Sequence, residues 1–272
     1  MIETHLVSLD NTGLHLVHNN RAGRPAIIFI HGACSSHRAW IYQLGSKLLN
    51  EHFHLIALDM RGHGRSDKPT DPLAYQDGQR WADDLAVIFH SLKLECATLV
   101  AWSYGGRMIS DYIRAYGEAR INGINFIAAG TLARDDVKGP GYQVLADLFS
   151  DEPDRIREAE KQFVSDLTEG IDDATLKGYM SEDLAACPKY VRDAMRQRTM
   201  DYDDLLAELQ RPVLLTHGED DSYSLVKLAY LLNEHIPHTT LSVFEQTGHM
   251  PFAQCPQAYN QALFGFVTAL NA

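Results

Sequence analysis

The residue with the clearest chemical promise is Ser103, in Ala101-Trp102-Ser103-Tyr104-Gly105-Gly106 directly after the apolar run Ala97-Thr98-Leu99-Val100. The residues behind it, Arg107 to Ile113, read as a helix. A strand, a sharp turn and a helix in that order form a strained elbow that lifts a serine hydroxyl clear of the backbone. The flanking residues must be small because the turn brings strand and helix backbones together. Glycine is usual at both small positions; Ala101 replaces the first. A neutral hydroxyl is a weak nucleophile, so the serine acquires meaning only if the chain also supplies a base, an acid and an oxyanion site.

Those partners are sought at other strand ends. After Ala26–Ile30 comes His31-Gly32-Ala33-Cys34-Ser35-Ser36. This Gly-containing turn can aim the Ala33 backbone N–H at an oxyanion, paired with the N–H of Tyr104. An ordinary strand-to-helix turn accounts for the same residues. Cys34 is the rival nucleophile there, but an isolated cysteine with no sign of a thiolate-lowering environment reads as structural. After Pro212–Thr216 comes His217-Gly218-Glu219-Asp220-Asp221-Ser222, whose three carboxylates each satisfy the chain order Ser, acid, His. The run also suits an acidic turn or a helix start. After Thr240–Phe244 comes Gly248-His249-Met250-Pro251, and His249 is the candidate base. His31 and His217 come too early in the chain for that role. No metal-ligand spacing such as His-Glu-x-x-His is found, so no metal and no cofactor are expected.

Composition limits the possibilities. The chain has 272 residues, 45% of them hydrophobic, which is enough for a full core. Its formal charge of −12 argues against nucleic acid, which requires Lys and Arg against phosphate, and gives no attraction to anionic membranes. No apolar run approaches the ~20 residues of a bilayer span. The start, Met1-Ile2-Glu3-Thr4-His5, does not resemble a secretion signal, and four scattered cysteines suit a reduced, cytoplasmic setting. The expected partner is a small molecule.

The elements that must position Ser103, the Glu219-Asp220-Asp221 turn and His249 alternate. Ile2–Leu9 and Leu14–His18 flank a turn and predict a hairpin. Ala26–Ile30, Phe53–Leu58, Ala97–Ala101, Ile124–Ala128, Pro212–Thr216 and Thr240–Phe244 are short apolar runs of the kind buried on both faces of a parallel sheet. Helical patterns lie between or after them at Ala39–Asn50, Gln76–Leu92, Gly106–Gly117, Ser224–Glu234 and Pro256–Leu270. An α/β fold with a mainly parallel, eight-stranded sheet follows. Residues 132–209 break the alternation with helical, charged text and predict a cap inserted into a core made of 1–131 and 210–272. Such a cap would lie over the strand C-termini, where open α/β sheets place ligands.

Taken in order, His31-Gly32, Asp59-Met60-Arg61-Gly62-His63-Gly64-Arg65-Ser66, the Ser103 elbow, His217-Gly218-Glu219-Asp220-Asp221 and Gly248-His249 resemble the α/β-hydrolase superfamily over essentially the whole chain. The resemblance implies a Ser103–His249–Asp221 triad, with Asp220 second and Glu219 third as the acid, and an oxyanion hole at Ala33 and Tyr104. It implies hydrolysis of a carboxylic ester through an acyl-enzyme. Lactonase, carbon–carbon hydrolase and cofactor-free perhydrolase chemistry use the same residues, and some members of the fold only bind ligands. Arg155, Arg157, Arg192, Arg196 and Arg198 in the cap offer contacts to a carboxylate. Their interleaving with acids reads first as a salt-bridged surface. Apolar residues such as Tyr142, Leu145, Phe149 and Phe163 read first as packing.

Overall fold

The structure is a computed structural model that describes every residue except Ala133, Met200 and Ala272. Its strands are β1 (Ile2–Val7), β2 (Gly13–His18), β3 (Ala26–Ile30), β4 (His54–Asp59), β5 (Ala97–Trp102), β6 (Ile121–Ile127), β7 (Val213–Gly218) and β8 (Thr239–Phe244). They form one eight-stranded sheet in the order β1-β2-β4-β3-β5-β6-β7-β8. The pairs β1–β2 and β2–β4 are antiparallel, and every other pair is parallel. Every residue of β3, β4, β5 and β7 is buried, which is why these strands read as unbroken apolar runs: helices cover both faces. The edge strand β1 has no buried residue.

The expected helix Ala39–Asn50 is in fact broken. A 3₁₀ turn at His37–Trp40 runs into Ile41–Leu44, and a new helix starts at Lys47. Gly45 closes the first piece, and the Ser46 side chain accepts from Leu49 N–H as the N-cap of the second. The later helices Gly105–Tyr116 and Pro256–Leu270 keep close to their sequence bounds.

The loop after β4 shows what its Gly-rich motif does. Asp59 is fully buried and accepts from the His15 and His37 side chains and from the backbone N–H of His37 and Arg65. Gly64 has φ of 47°, and a Cβ there would come within 2.3 Å of the Asp59 carboxyl carbon. Arg61 is likewise buried, and its guanidinium bonds Asp84 and Asp10. The motif folds the loop around these charges.

Between β6 and β7 run the helices Tyr142–Asp147, Pro153–Leu167, Ala174–Ala186, Lys189–Arg196 and Asp203–Ala207. Ser36 Oγ donates to Asp183 at 2.6 Å, Tyr42 OH to Asp173 at 2.8 Å and Tyr223 OH to Asp166 at 2.8 Å. These bonds tie the helical excursion to the segments that follow β3 and β7. The segment therefore sits at the strand C-terminal end of the sheet.

Candidate active site

Ser103 follows the last residue of β5, next to the middle of the sheet. Its φ of 53° is left-handed, a conformation that costs a non-glycine residue on the order of 1–2 kcal/mol. The turn is held on both sides. Ser103 N–H donates to Ile127 O at 2.9 Å, and Gly106 N–H returns to Ser103 O at 3.2 Å. A Cβ on Gly105 would stand 2.8 Å from the carbonyl oxygens of both Ile30 and His31, so the elbow presses directly on the end of β3. Ala101 occupies the first small position fully buried within β5.

His249 and Asp221 reach the site from loops after β8 and β7. Those loops touch so closely that a Cβ on Gly218 would overlap Gly248 O at 2.0 Å. His249 Nδ1 lies 2.7 Å from Asp221 Oδ2. An ionised carboxylate can only accept, so this contact places the ring proton on Nδ1 and leaves Nε2 as a base. Asp221 Oδ1 accepts from Tyr223 N–H at 2.8 Å and Ser224 N–H at 3.0 Å. Burial pushes the Asp221 carboxyl upward, but the charge of His249 and hydrogen bonds from His217 and His249 outweigh it. The carboxyl is held well below the usual range. Asp220 and Glu219 are exposed on the same loop. Trp102 Nε1 donates to His249 O at 2.8 Å, linking the elbow strand to the histidine loop.

His217, which the sequence excluded as the base, has a supporting place. Its Nε2 donates to Ser224 O at 2.6 Å and lies 3.2 Å from Asp221 Oδ2. Position in the chain carried no sign of this contact.

Ser103, His249, Ala33 and Tyr104 all line one cavity of about 460 Å³. Among the described residues, neither the Ala33 nor the Tyr104 N–H has a backbone acceptor. Cys34 also lines the cavity, buried with φ of 58°. A hydrogen bond from Cys187 pulls its thiol down against the effect of burial, a neighbour that sequence could not reveal. All four cysteines are free.

The cap residues divide. Tyr142, Leu145, Phe149, Phe163 and Met195 line the cavity. Arg155 and Arg157 are exposed and pair with Asp147 and Asp154, as a salt-bridged surface should. Arg192, Arg196 and Arg198 instead border the cavity. A larger hollow of about 790 Å³ lies between Pro153–Leu167 and Ala174–Ala186, but Ser103, Asp221 and His249 do not border it. Among the described residues, two groups have metal-like spacing, Glu3 with His5 and His15, and His15 with His37 and Asp59. Neither contains a residue of the Ser103 cavity. In the second, Asp59 already accepts from both histidine rings.

A helix-covered parallel sheet with a serine raised after its fifth strand defines the class, an α/β hydrolase. The family model for the alpha/beta hydrolase fold matches residues 25–256, and the chain belongs to that family. It is 27% identical to AB hydrolase superfamily protein YisY of Bacillus subtilis, over 90% of this chain and 91% of that protein. It is also 27% identical to 3-oxoadipate enol-lactonase 2 of Acinetobacter baylyi, over 92% and 91%. Among solved structures, esterase RhEst1 from Rhodococcus sp. ECU1013 aligns with TM-score 0.90 and 28% identity, over 99% of this chain and 100% of that one.

No described helix is long and apolar enough to cross a membrane.

Proposed function

We propose that this chain is a serine carboxylesterase acting on a small-molecule ester, with Ser103 as nucleophile, His249 as base and Asp221 as acid. One observation carries the reading: Ser103, on a strained turn, shares a cavity with a histidine whose Nδ1 is engaged by a buried carboxylate. Ser103 Oγ attacks the acyl carbon while His249 Nε2 takes its proton. Asp221 holds the tautomer and stabilises the imidazolium. The N–H groups of Ala33 and Tyr104 receive the oxyanion, a contribution on the order of 3–4 kcal/mol per donor in a comparable site. His249 then protonates the leaving alcohol and activates the water that releases the acid.

Residues 132–209 act as a cap over this site, supplying Tyr142, Leu145, Phe149 and Phe163 to the cavity wall. Four unbonded cysteines fit a reducing compartment such as the cytoplasm. A lactone is an internal ester and makes the same demands on these residues. Similarity to an enol-lactonase supports it as the second reading.

The test is covalent labelling with a fluorophosphonate, alongside hydrolysis of p-nitrophenyl acetate and butyrate. Ser103→Ala should lose both signals while its circular dichroism and melting curve stay those of the parent. Labelling that persists in the alanine variant refutes the assignment.

A further inference from the structure

The esterase chemistry leaves the charged residues of the cavity lining unexplained. Arg107, Lys138, Arg192, Arg196 and Arg198 line it, and no aspartate or glutamate does among the described residues. In a chain of formal charge −12, that is a local reversal of sign.

These cations are only partly neutralised. Arg192 and Arg198 are each 7% exposed. Arg192 Nη1 donates to Glu160 at 3.3 Å, while its buried Nε has no acceptor. Arg198 Nη2 donates to Asp111 and to the Tyr202 hydroxyl, while its buried Nη1 has none. Arg107 stacks on the Tyr104 ring at 4.5 Å, and its Nε also lacks an acceptor. Arg196 lies 5.1 Å over the Phe149 ring. Among the described residues, neither Arg107 nor Arg196 is ion-paired. Lys138 pairs with Asp135. Asp111, Glu160 and Asp135 thus stand behind five cations.

Positive charge in a recess without matching acceptors is costly, and an anion entering the recess would relieve that cost. Guanidinium groups have the planar fork that suits a carboxylate. Arg107 belongs to the helix that begins at the elbow, and Arg192 and Arg196 are one turn apart on Lys189–Arg196. The rest of the lining includes Tyr142, Leu145 and Phe163, which are apolar or aromatic.

We propose that the cavity contains a carboxylate subsite formed by Arg107, Arg192 and Arg196, and that the substrate is an ester bearing a free carboxylate away from the reacting bond. Turnover of such a half-ester rests on the esterase reading above; binding of its carboxylate does not. Hydrolysis would consume one water and convert a half-ester of a dicarboxylic acid into the dicarboxylate and an alcohol.

Monomethyl adipate and dimethyl adipate present the same chain with and without the charge. Wild-type kcat/KM, read as acid release in a pH-stat, should favour the monoester at least tenfold. That preference ratio should fall at least tenfold in Arg192→Gln and in Arg196→Gln. Arg196 is exposed, so its variant keeps the test valid if Arg192→Gln does not fold. A second pair, 4-acetoxybutanoate and its methyl ester, carries the charge on the alcohol side and is read as acetate release. Preference in either pair shows which side the subsite holds.

Calorimetry on Ser103→Ala separates the two claims. Monomethyl adipate should bind at least tenfold more tightly than dimethyl adipate even if no ester is turned over, in which case only the esterase reading fails. Equal or weaker binding of the charged member in both pairs refutes the subsite. A charge preference that survives both arginine substitutions refutes it as well.

Discussion

Replacing Asp221 by Asn tests the link between hydrogen-bond direction and catalysis. Asp221 Oδ1 accepts from two backbone N–H groups, of Tyr223 and Ser224, while Oδ2 meets His249 Nδ1. An asparagine has one acceptor end and one donor end. If its oxygen keeps the two backbone bonds, its NH₂ faces His249 and forces Nδ1 to accept. The ring proton then moves to Nε2, and the lone pair proposed to act as the base is lost. The flipped amide would keep the working tautomer but leave two buried N–H donors against an NH₂. At about 1–3 kcal/mol per unsatisfied donor, the wrong arrangement is favoured by about 2–6 kcal/mol, or about 30-fold to 10⁴-fold in rate. Loss of the charge opposite the imidazolium pushes toward the upper end, near the ~10⁴-fold measured for the same change in a serine protease. The assay is kcat on p-nitrophenyl butyrate with the fluorophosphonate labelling rate, and a thermal melt to confirm folding. Asp220→Asn, at an exposed position, is the control. A loss below tenfold in Asp221→Asn, or an equal loss in the control, would refute the reasoning.

Two other predictions concern stability. His63 is fully buried, and burial lowers its ring to about 3, with nearby His31 adding to the effect. The unfolded chain takes up a proton near ~6.5 that the folded chain refuses, so stability is full above that pH and falls as pH drops toward 3. Between pH 7 and 5 this group accounts for about 2 kcal/mol of lost stability. Urea unfolding of His63→Asn should therefore show a flatter pH dependence than the parent, and an unchanged slope would contradict the assignment. Gly105→Ala pushes a methyl against two backbone carbonyls at 2.8 Å and should cost about 1–3 kcal/mol together with much of kcat. Gly178→Ala, in a helix with nothing within 4 Å of the new methyl, should instead raise the melting temperature by about 2 °C. Melting curves that rank the two variants the other way would overturn the steric argument.

Much of the fold could be read from local pattern. The buried runs at Ala26–Ile30 and Ala97–Ala101 are strands in the structure, because a strand covered on both faces must be apolar throughout. The break at Gly45-Ser46 was missed: apolar periodicity continued across a residue pair that caps one helix and starts another. For the candidate site, Ser103 and His249 stood out by type and position after strands. The choice among Glu219, Asp220 and Asp221 did not, since three adjacent carboxylates have the same chemistry until a loop turns one inward. Mixed charge in 132–209 likewise could not separate Arg155 and Arg157, paired at the surface, from Arg192 and Arg198, buried beside the cavity.

The sequence alone determined the strands, their order along the chain and a serine on the turn after one of them, because burial and turn geometry constrain residue type locally. Only the tertiary structure decided that Asp221 meets His249, that His217 supports the same carboxylate, and that Arg107, Arg192, Arg196 and Arg198 line the same cavity as Ser103. The His249 contact and the gathering of the arginines join separate loops or distant segments, and the His217 contact, though only four residues apart, depends on how the turn after β7 folds back. Which side chains meet there depends on how the sheet brings its strand ends together, and no local spacing encodes that.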